Sequence, residues 1–321
     1  MEHQKIALNA PLVRGEQFNL SALADAYMVS FAGRDPYQSQ RLAFFVQRIG
    51  HLIACEIDAD DVDDCLDALK SRGKLMNKGG TKIGGEIVPA HKPLADSTIN
   101  RYRCTLQAAL TWARKKRLMP KGWTNPVNET QRLAEDNART RYLKPEEYER
   151  LLKMCHISQW NKLAALVMMA VTTGARKGAL LGLEWSDVDL DLGEAFVERT
   201  KNGEPFVLVL VPDVIQELRR FASKAKPDEL VFCGRNPYKA ATFTKSWNTA
   251  LEDAKLSGSD IVFHSLRHTH ASWLAKQGAP LLAIADSLGH KSLAMTKRYS
   301  HLCIDSRKDL IKKTFSSHHI N

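Results

Sequence analysis

The stretch Val262–Leu302 reads VFHSLRHTHASWLAKQGAPLLAIADSLGHKSLAMTKRYSHL, and the fold of the whole chain turns on it. It holds His264 and Arg267 three residues apart, His290 directly after a glycine, and Tyr299 nine residues beyond His290. Two short helical patterns lie between them, punctuated by Gly278-Ala279-Pro280, a helix stop followed by a helix start. His264 and Arg267 are therefore expected near one helix N-terminus and His290 just past another helix end. Tyr299 is expected on a third short helix that Ser292 can cap. Imidazoles, a guanidinium and a phenol gathered at helix ends suit a phosphodiester better than a carbonyl, because helix N-termini and cations favour an anion. The phenol can serve as a nucleophile. Each residue taken alone reads equally as packing or as a solvated helix face; the combination carries the argument.

Upstream, Thr172-Thr173-Gly174-Ala175-Arg176 closes a helix, Asn161 to Thr172, that is apolar nearly all round. Between them the pattern switches to strands, Ala195–Glu198 and Pro205 to Val211, flanking Lys201-Asn202-Gly203. Asn-Gly between two such runs is a strong hairpin signal. With these segments in place the chain resembles the tyrosine recombinase (phage integrase) family. The matching positions are Arg176 in a TGxR segment, Lys201 on a β-hairpin, His264 and Arg267 in an HxxR box, His290 in an LGH segment, and Tyr299. All six agree in type, order and spacing, and the resemblance covers roughly residues 20–315.

The resemblance implies a mainly α fold with a small antiparallel β-sheet in two domains. These are a helical N-terminal core-DNA-binding domain and an α+β catalytic domain. The expected boundaries are a flexible lead-in over residues 1–18, the helical domain over 19–124, a polar linker over 125–141 and the catalytic domain over 142–321. It also implies site-specific DNA breakage and rejoining through a covalent 3′-phosphotyrosine, in integration, excision or resolution of a phage or mobile element. In that chemistry Tyr299 attacks, Arg176 and Arg267 neutralise the phosphate, and Lys201 protonates the leaving oxygen. His264 takes or orients the phenolic proton, and His290 donates to the phosphate. No metal and no cofactor is expected, since the ester bond conserves the energy. The implied partners are double-stranded DNA and three further copies in a homo-tetramer on DNA, with the segment beyond Tyr299 touching a neighbour. Accessory DNA-bending proteins are also compatible with the resemblance. No membrane partner is expected.

Composition agrees with a polyanion partner. The 321 residues carry a net charge of +10 with a pI near 9.3, pointing to nucleic acid or an anionic surface. The six cysteines are scattered without a CxxC pair, which reads as reduced thiols in a cytoplasmic protein. The first residues lack a signal-peptide core, and the apolar run Leu163–Val171 is too short to span a bilayer.

Along the N-terminal half the pattern is helical. Glu56 to Asp67 holds seven carboxylates and reads as an exposed helix start; Asp60, Asp61, Asp63 and Asp64 lack the loop glycine of a calcium hand. Gly79-Gly80 and Gly84-Gly85 mark a loop. Lys92 to Lys121 holds eight basic residues and one acid, among them Arg101, Arg103, Arg114, Lys115, Lys116 and Arg117. These six are candidate DNA-backbone contacts, with a merely solvated face as the alternative.

Other readings of the histidines carry less. His264 and His268 at i, i+4 have no glutamate in an HExxH pattern and no evident third ligand, so His268 and His270 are expected to pack or face solvent. Two departures from the family pattern stand out. Ala179 replaces the acid usually found three residues after the first arginine. The 18 residues before Asn19 are expected not to hold the arm-binding domain of the larger integrases. A DNA-binding protein with lapsed chemistry, and a type IB topoisomerase-like enzyme, are the competing classes.

Overall fold

Capping side chains visible in the sequence set several helix ends. The computed structural model describes residues 12–33, 35–77, 87–90, 92–135, 141–198 and 205–315. The chain forms two compact units, Met1–Asn137 and Ala138–Asn321.

In the first unit α1 (Leu20–Ser30) opens on Asn19, whose side-chain oxygen accepts from the Ala22 amide at 2.9 Å. After α2 (Gln38–Ile49) the acidic run becomes the start of α3 (Ala59–Arg72). There the Asp58 and Asp61 carboxylates each accept from the other's amide, and Asp60 and Asp61 sit in the first turn, where the helix dipole favours anions. With α4 (Asp96–Lys115) these helices enclose a core that includes Leu23, Phe45, Leu69, Leu106 and Leu110. Two three-residue strands, β1 (Leu75–Asn77) and β2 (Ile87–Pro89), pair antiparallel with Leu75 opposite Pro89. They flank the segment read from its glycines as a loop, most of which lies outside the described residues.

Three expectations need correction. The lead-in is not free from Leu12 on: Leu12 and Phe18 pack on the helical core, and Phe18 O accepts from the Ala54 amide at 2.9 Å. The linker does not begin at Asn125 either. Asn125 donates from its side chain to Gln107 O and Thr111 Oγ1, each at 3.0 Å, and Asn100 donates to Leu133 O at 2.9 Å. Residues 125–135 therefore belong to the first unit, fastened by these polar contacts and by Val127 and Leu133, which pack on its core. The third concerns Arg103, which is buried rather than displayed on a basic face. Its guanidinium donates to Thr130 Oγ1 at 2.8 Å, to Thr130 O at 3.1 Å and to Val127 O, so its donors are spent on clamping that segment to α4. Arg101, Arg114, Lys115, Lys116 and Arg117 are exposed as expected.

The second unit runs α5 (Pro145–His156), α6 (Leu163–Thr173), α7 (Lys177–Leu181), β3 (Val188–Asp189), β4 (Glu194–Val197), β5 (Phe206–Val209) and α8 (Pro212–Ala222). It continues with α9 (Thr244–Asp253), α10 (Ser265–Lys276), α11 (Leu281–Leu288), α12 (Leu293–Thr296), a 3-10 turn over Lys297–Cys303 and α13 (Ile304–Phe315). The strands form an antiparallel sheet in the order β3-β4-β5, with Val197 opposite Phe206, as the hairpin signal implied. Helix α6 is buried on all sides except at Thr172, which fits its nearly unbroken apolar sequence. It lies against α10, nine of whose twelve residues are buried, among them Arg267, His268, Thr269 and His270. Buried polar groups require partners, and theirs define the site. Among the described residues no helix is long and apolar enough to cross a membrane.

Candidate active site

The site begins where α6 ends. Gly174 closes that helix at φ +65°, and a Cβ there would stand 2.6 Å from His270 Cδ2. Only glycine takes the left-handed turn and lets the imidazole approach. The Gly174 carbonyl, turned inward, accepts from Arg267 Nη1 at 2.8 Å, and Leu288 O at the end of α11 accepts from Arg267 Nη2 at 2.7 Å. Arg267 thus joins the C-terminal ends of two helices, where unpaired carbonyls and the dipole favour a cation. Arg176, two residues past Gly174, opens α7.

On the next turn of α10, His270 donates from Nδ1 to Val171 O at 2.9 Å and accepts from Ser287 Oγ at 2.6 Å through Nε2. A carbonyl can only accept, so this tautomer is forced. His270 is a strut between α6, α10 and α11. At the end of α11, Gly289 at φ +59° carries the chain round, and the His290 amide donates to Ala285 O at 2.9 Å, a Schellman-type end. His290 Nδ1 then meets the buried Thr296 Oγ1 at 2.8 Å. Helix α12 is capped by Ser292, whose Oγ accepts from the Ala294 amide at 3.2 Å. Tyr299 lies in the 3-10 turn that follows and is 6% exposed. Its phenol oxygen is 2.6 Å from His268 Nδ1.

Charge in this cluster has one sign. Burial, then His264, Arg298 and Arg267, press His268 down to about 4. Burial followed by Arg267, Arg176, Arg298 and His268 does the same to His290, also to about 4. His264 is lowered by burial and the three arginines. Arg267 falls to about 10, chiefly through burial and then Arg176. Tyr299 is raised by burial, against the pull of Arg298 and Arg267. Each side chain bears on the next, and among these named influences no carboxylate appears.

Residues 141–304, more than half of the chain, match the phage integrase family. The chain belongs to that family. It is 26% identical over 285 residues to the integrase of Salmonella phage P22, covering 82% of this chain and 70% of that protein. It is 25% identical over 243 residues to the tyrosine recombinase XerA of Saccharolobus solfataricus, covering 76% of each. Among solved structures, the Tn1549 transposon integrase in complex with transposon right end DNA superposes with a TM-score of 0.69 at 17% identity. That match covers 93% of this chain and all 100% of that one. A lambda integrase dimer bound to a COC′ core site gives 0.64 at 20% identity, covering 88% and 95%. At these identities the two structures speak for the fold alone.

Of the six positions that matched the family's motifs, the structure gathers Arg176, His264, Arg267, His290 and Tyr299 into one electrostatic cluster. Lys201 lies outside the described residues. Where the family usually carries an acid, Ala179 packs against the hydrophobic core of the unit. The imidazole within hydrogen-bond distance of the Tyr299 oxygen is that of His268; His264, expected to take or orient the phenolic proton, stands with its ring perpendicular to that of His268 at 5.1 Å. Sequence reading sent His268 to packing or solvent and passed over Arg298. The signal for His268 was its place at i+4 from His264 on the helix face that also carries Arg267. For Arg298 it was only adjacency to Tyr299.

The histidine shifts have a measurable consequence. In the unfolded chain His268 and His290 take up protons near their ordinary value of 6.5, but in the folded chain only near 4. The folded state therefore binds fewer protons across that window, so stability is intact above 6.5 and is lost as pH falls toward 4. Calorimetry on DNA-free protein should show Tm falling between about pH 6.5 and 5, above the usual carboxylate range. His290→Asn should flatten the fall; a Tm level across that interval would mean that the histidines titrate as exposed groups.

Proposed function

We propose that this protein is a site-specific DNA recombinase that cuts and rejoins double-stranded DNA through a phosphotyrosine at Tyr299, in integration, excision or resolution of a phage or mobile element. The observation that carries the reading is the buried phenol in a cluster whose acting charges are all positive. A phosphodiester supplies the missing negative charge. In-line attack by the Tyr299 oxygen forms the O–P bond and expels the 5′ oxygen, and charge gathers on the non-bridging oxygens. Arg176 and Arg267 neutralise that charge, because guanidinium stays ionised and makes paired hydrogen bonds. His264 and His290 serve as further donors, and Lys201 as the acid for the leaving oxygen. Family membership and the P22 and XerA relatives support DNA as the substrate.

A tetramer on DNA follows from the reaction's need for four cleavages, with one tyrosine per chain. The exposed Ile311 and Phe315 on α13 support docking of that helix on a neighbour. A nicked suicide substrate that traps an SDS-resistant adduct would separate this reading from a DNA-binding protein without chemistry. Strand exchange at a defined site would separate it from a topoisomerase.

The basic end of α4 gives a second test. Replacing Arg114, Lys115, Lys116 and Arg117 by Gln should reduce the slope of log affinity against log salt by about 0.9 for each phosphate no longer neutralised. Arg103→Gln should instead lower stability and leave the slope alone, because its donors are internal. An unchanged slope in the quadruple variant would show that this face is only solvated.

A further inference from the structure

The proposed reaction leaves one proton unassigned, the one on the attacking phenol. We propose that His268 is the catalytic base for Tyr299: its Nδ1, 2.6 Å from the phenol oxygen, takes the phenolic proton as that oxygen attacks phosphorus. This rests on Tyr299 being the nucleophile.

Acidity sets the direction we infer for the hydrogen bond. A phenol gives up its proton far more readily than a neutral imidazole N–H, and the imidazole nitrogen is the stronger acceptor of the two. In this arrangement the phenol donates, Nδ1 accepts at 2.6 Å, and the ring's other proton sits on Nε2.

The setting makes this base conditional on substrate. His264 just before α10, Arg267 on it, Arg298 beside Tyr299 and His290 just past α11 all bear on His268, and all are basic. Without DNA, burial and then these cations disfavour an imidazolium there, so the pair stays neutral and the tyrosine stays protonated. A phosphodiester brings a negative charge that doubles as the five-coordinate phosphorus forms, and the imidazolium then gains a counter-ion. The step balances: the Tyr299 oxygen–phosphorus bond forms and the bond to the 5′ oxygen breaks. The phenolic proton passes to His268, and the departing oxygen takes a proton from the acid on its own side. Rejoining runs the same path backwards and returns the proton to Tyr299. His264, whose ring faces His268 edge-on, is left free to serve the phosphate.

His268→Asn separates proton transfer from orientation, because an amide oxygen can accept the phenolic hydrogen bond but cannot hold the proton. Full-length protein on nicked suicide DNA should bind normally in a gel shift, and adduct formation in single turnover should slow by about 10²- to 10⁴-fold. The wild-type rate should fall at low pH as His268 protonates in the complex, and the variant should lack that limb. Adduct formation within a few-fold of wild type would reduce His268 to a positioning residue and overturn the proposal. A slow variant that kept the wild-type pH limb would place the base elsewhere and overturn it too. A measurement on wild-type protein removes dependence on the variant's folding: nitrogen NMR should show His268 with an unprotonated Nδ1 and a protonated Nε2. The reverse tautomer would overturn the proposal. If Tyr299→Phe still formed an adduct, the reading of the nucleophile would fail, a result distinguishable from any of these.

Discussion

Tyr299→Phe should abolish the SDS-resistant protein–DNA adduct while leaving DNA affinity almost unchanged. The two readouts separate because different parts of the chain carry them. Affinity in a protein of net charge +10 comes from basic side chains on phosphates, with no share assigned to a buried phenol. The covalent bond needs the one oxygen the substitution deletes, and no flanking group can replace it: Arg298 and Ser300 on either side offer a cation and an alcohol without a bonded imidazole. The variant also leaves His268 Nδ1 buried without its donor, at a cost of about 1–3 kcal/mol. A modest fall in Tm is therefore expected beside a total loss of adduct. A persisting adduct would remove Tyr299 from the role. Loss of binding in parallel with the adduct would point to a collapsed catalytic unit instead.

Some of this was legible from residue order and some was not, for identifiable reasons. Helix ends were readable wherever a local group makes the end: Asn19, Asp58, Ser292 and the glycines at 174 and 289 each act within a few residues of themselves. The sheet was readable because Asn-Gly sits between two short runs rich in apolar, strand-favouring residues. The short pair β1–β2 was not, since three residues cannot display alternation. Segment 125–135 was not legible because it has only two large apolar anchors, Val127 and Leu133, and the hydrogen bonds from Asn100, Arg103 and Asn125 that also hold it do not register in hydropathy patterns. Arg103 could have been read correctly. It falls in step with Ile99, Leu106, Leu110 and Ala113, the buried stripe of α4, and the surrounding charge run concealed that phase. The active-site residues were legible as a set, but their pairing was not. On α10 the face holding His264, Arg267 and His268 presents two imidazoles, and only the fold shows which one the tyrosine reaches.

The two site arginines, alike in charge, should respond differently to removal, and Arg267 decides the matter. Arg267→Ala deletes two charge-assisted hydrogen bonds of about 1.5–3 kcal/mol each and leaves Gly174 O and Leu288 O without a donor. Against this stands relief. Burial and Arg176 hold Arg267 down from 12.5 to about 10, which corresponds to roughly 3 kcal/mol of disfavour for the charged form at 1.36 kcal/mol per pH unit. The two bonds together are worth about 3–6 kcal/mol and the relief roughly 3, so DNA-free stability should fall by about 0–3 kcal/mol. Catalysis has no such offset. With the phosphate in place the repulsion becomes attraction, and losing a preorganised donor costs about 10²- to 10³-fold in cleavage rate. Arg267→Lys should not restore the rate, since a single ammonium cannot span two carbonyls and still offer a planar edge to phosphate. Arg176→Ala should show a comparable rate loss with stability unchanged or slightly raised, because the half-buried Arg176 at the start of α7 repels Arg267. Denaturant unfolding beside single-turnover cleavage measures both quantities. A stability loss in Arg267→Ala well above about 4 kcal/mol, as when a buried pair is broken, would make that side chain a structural clamp first.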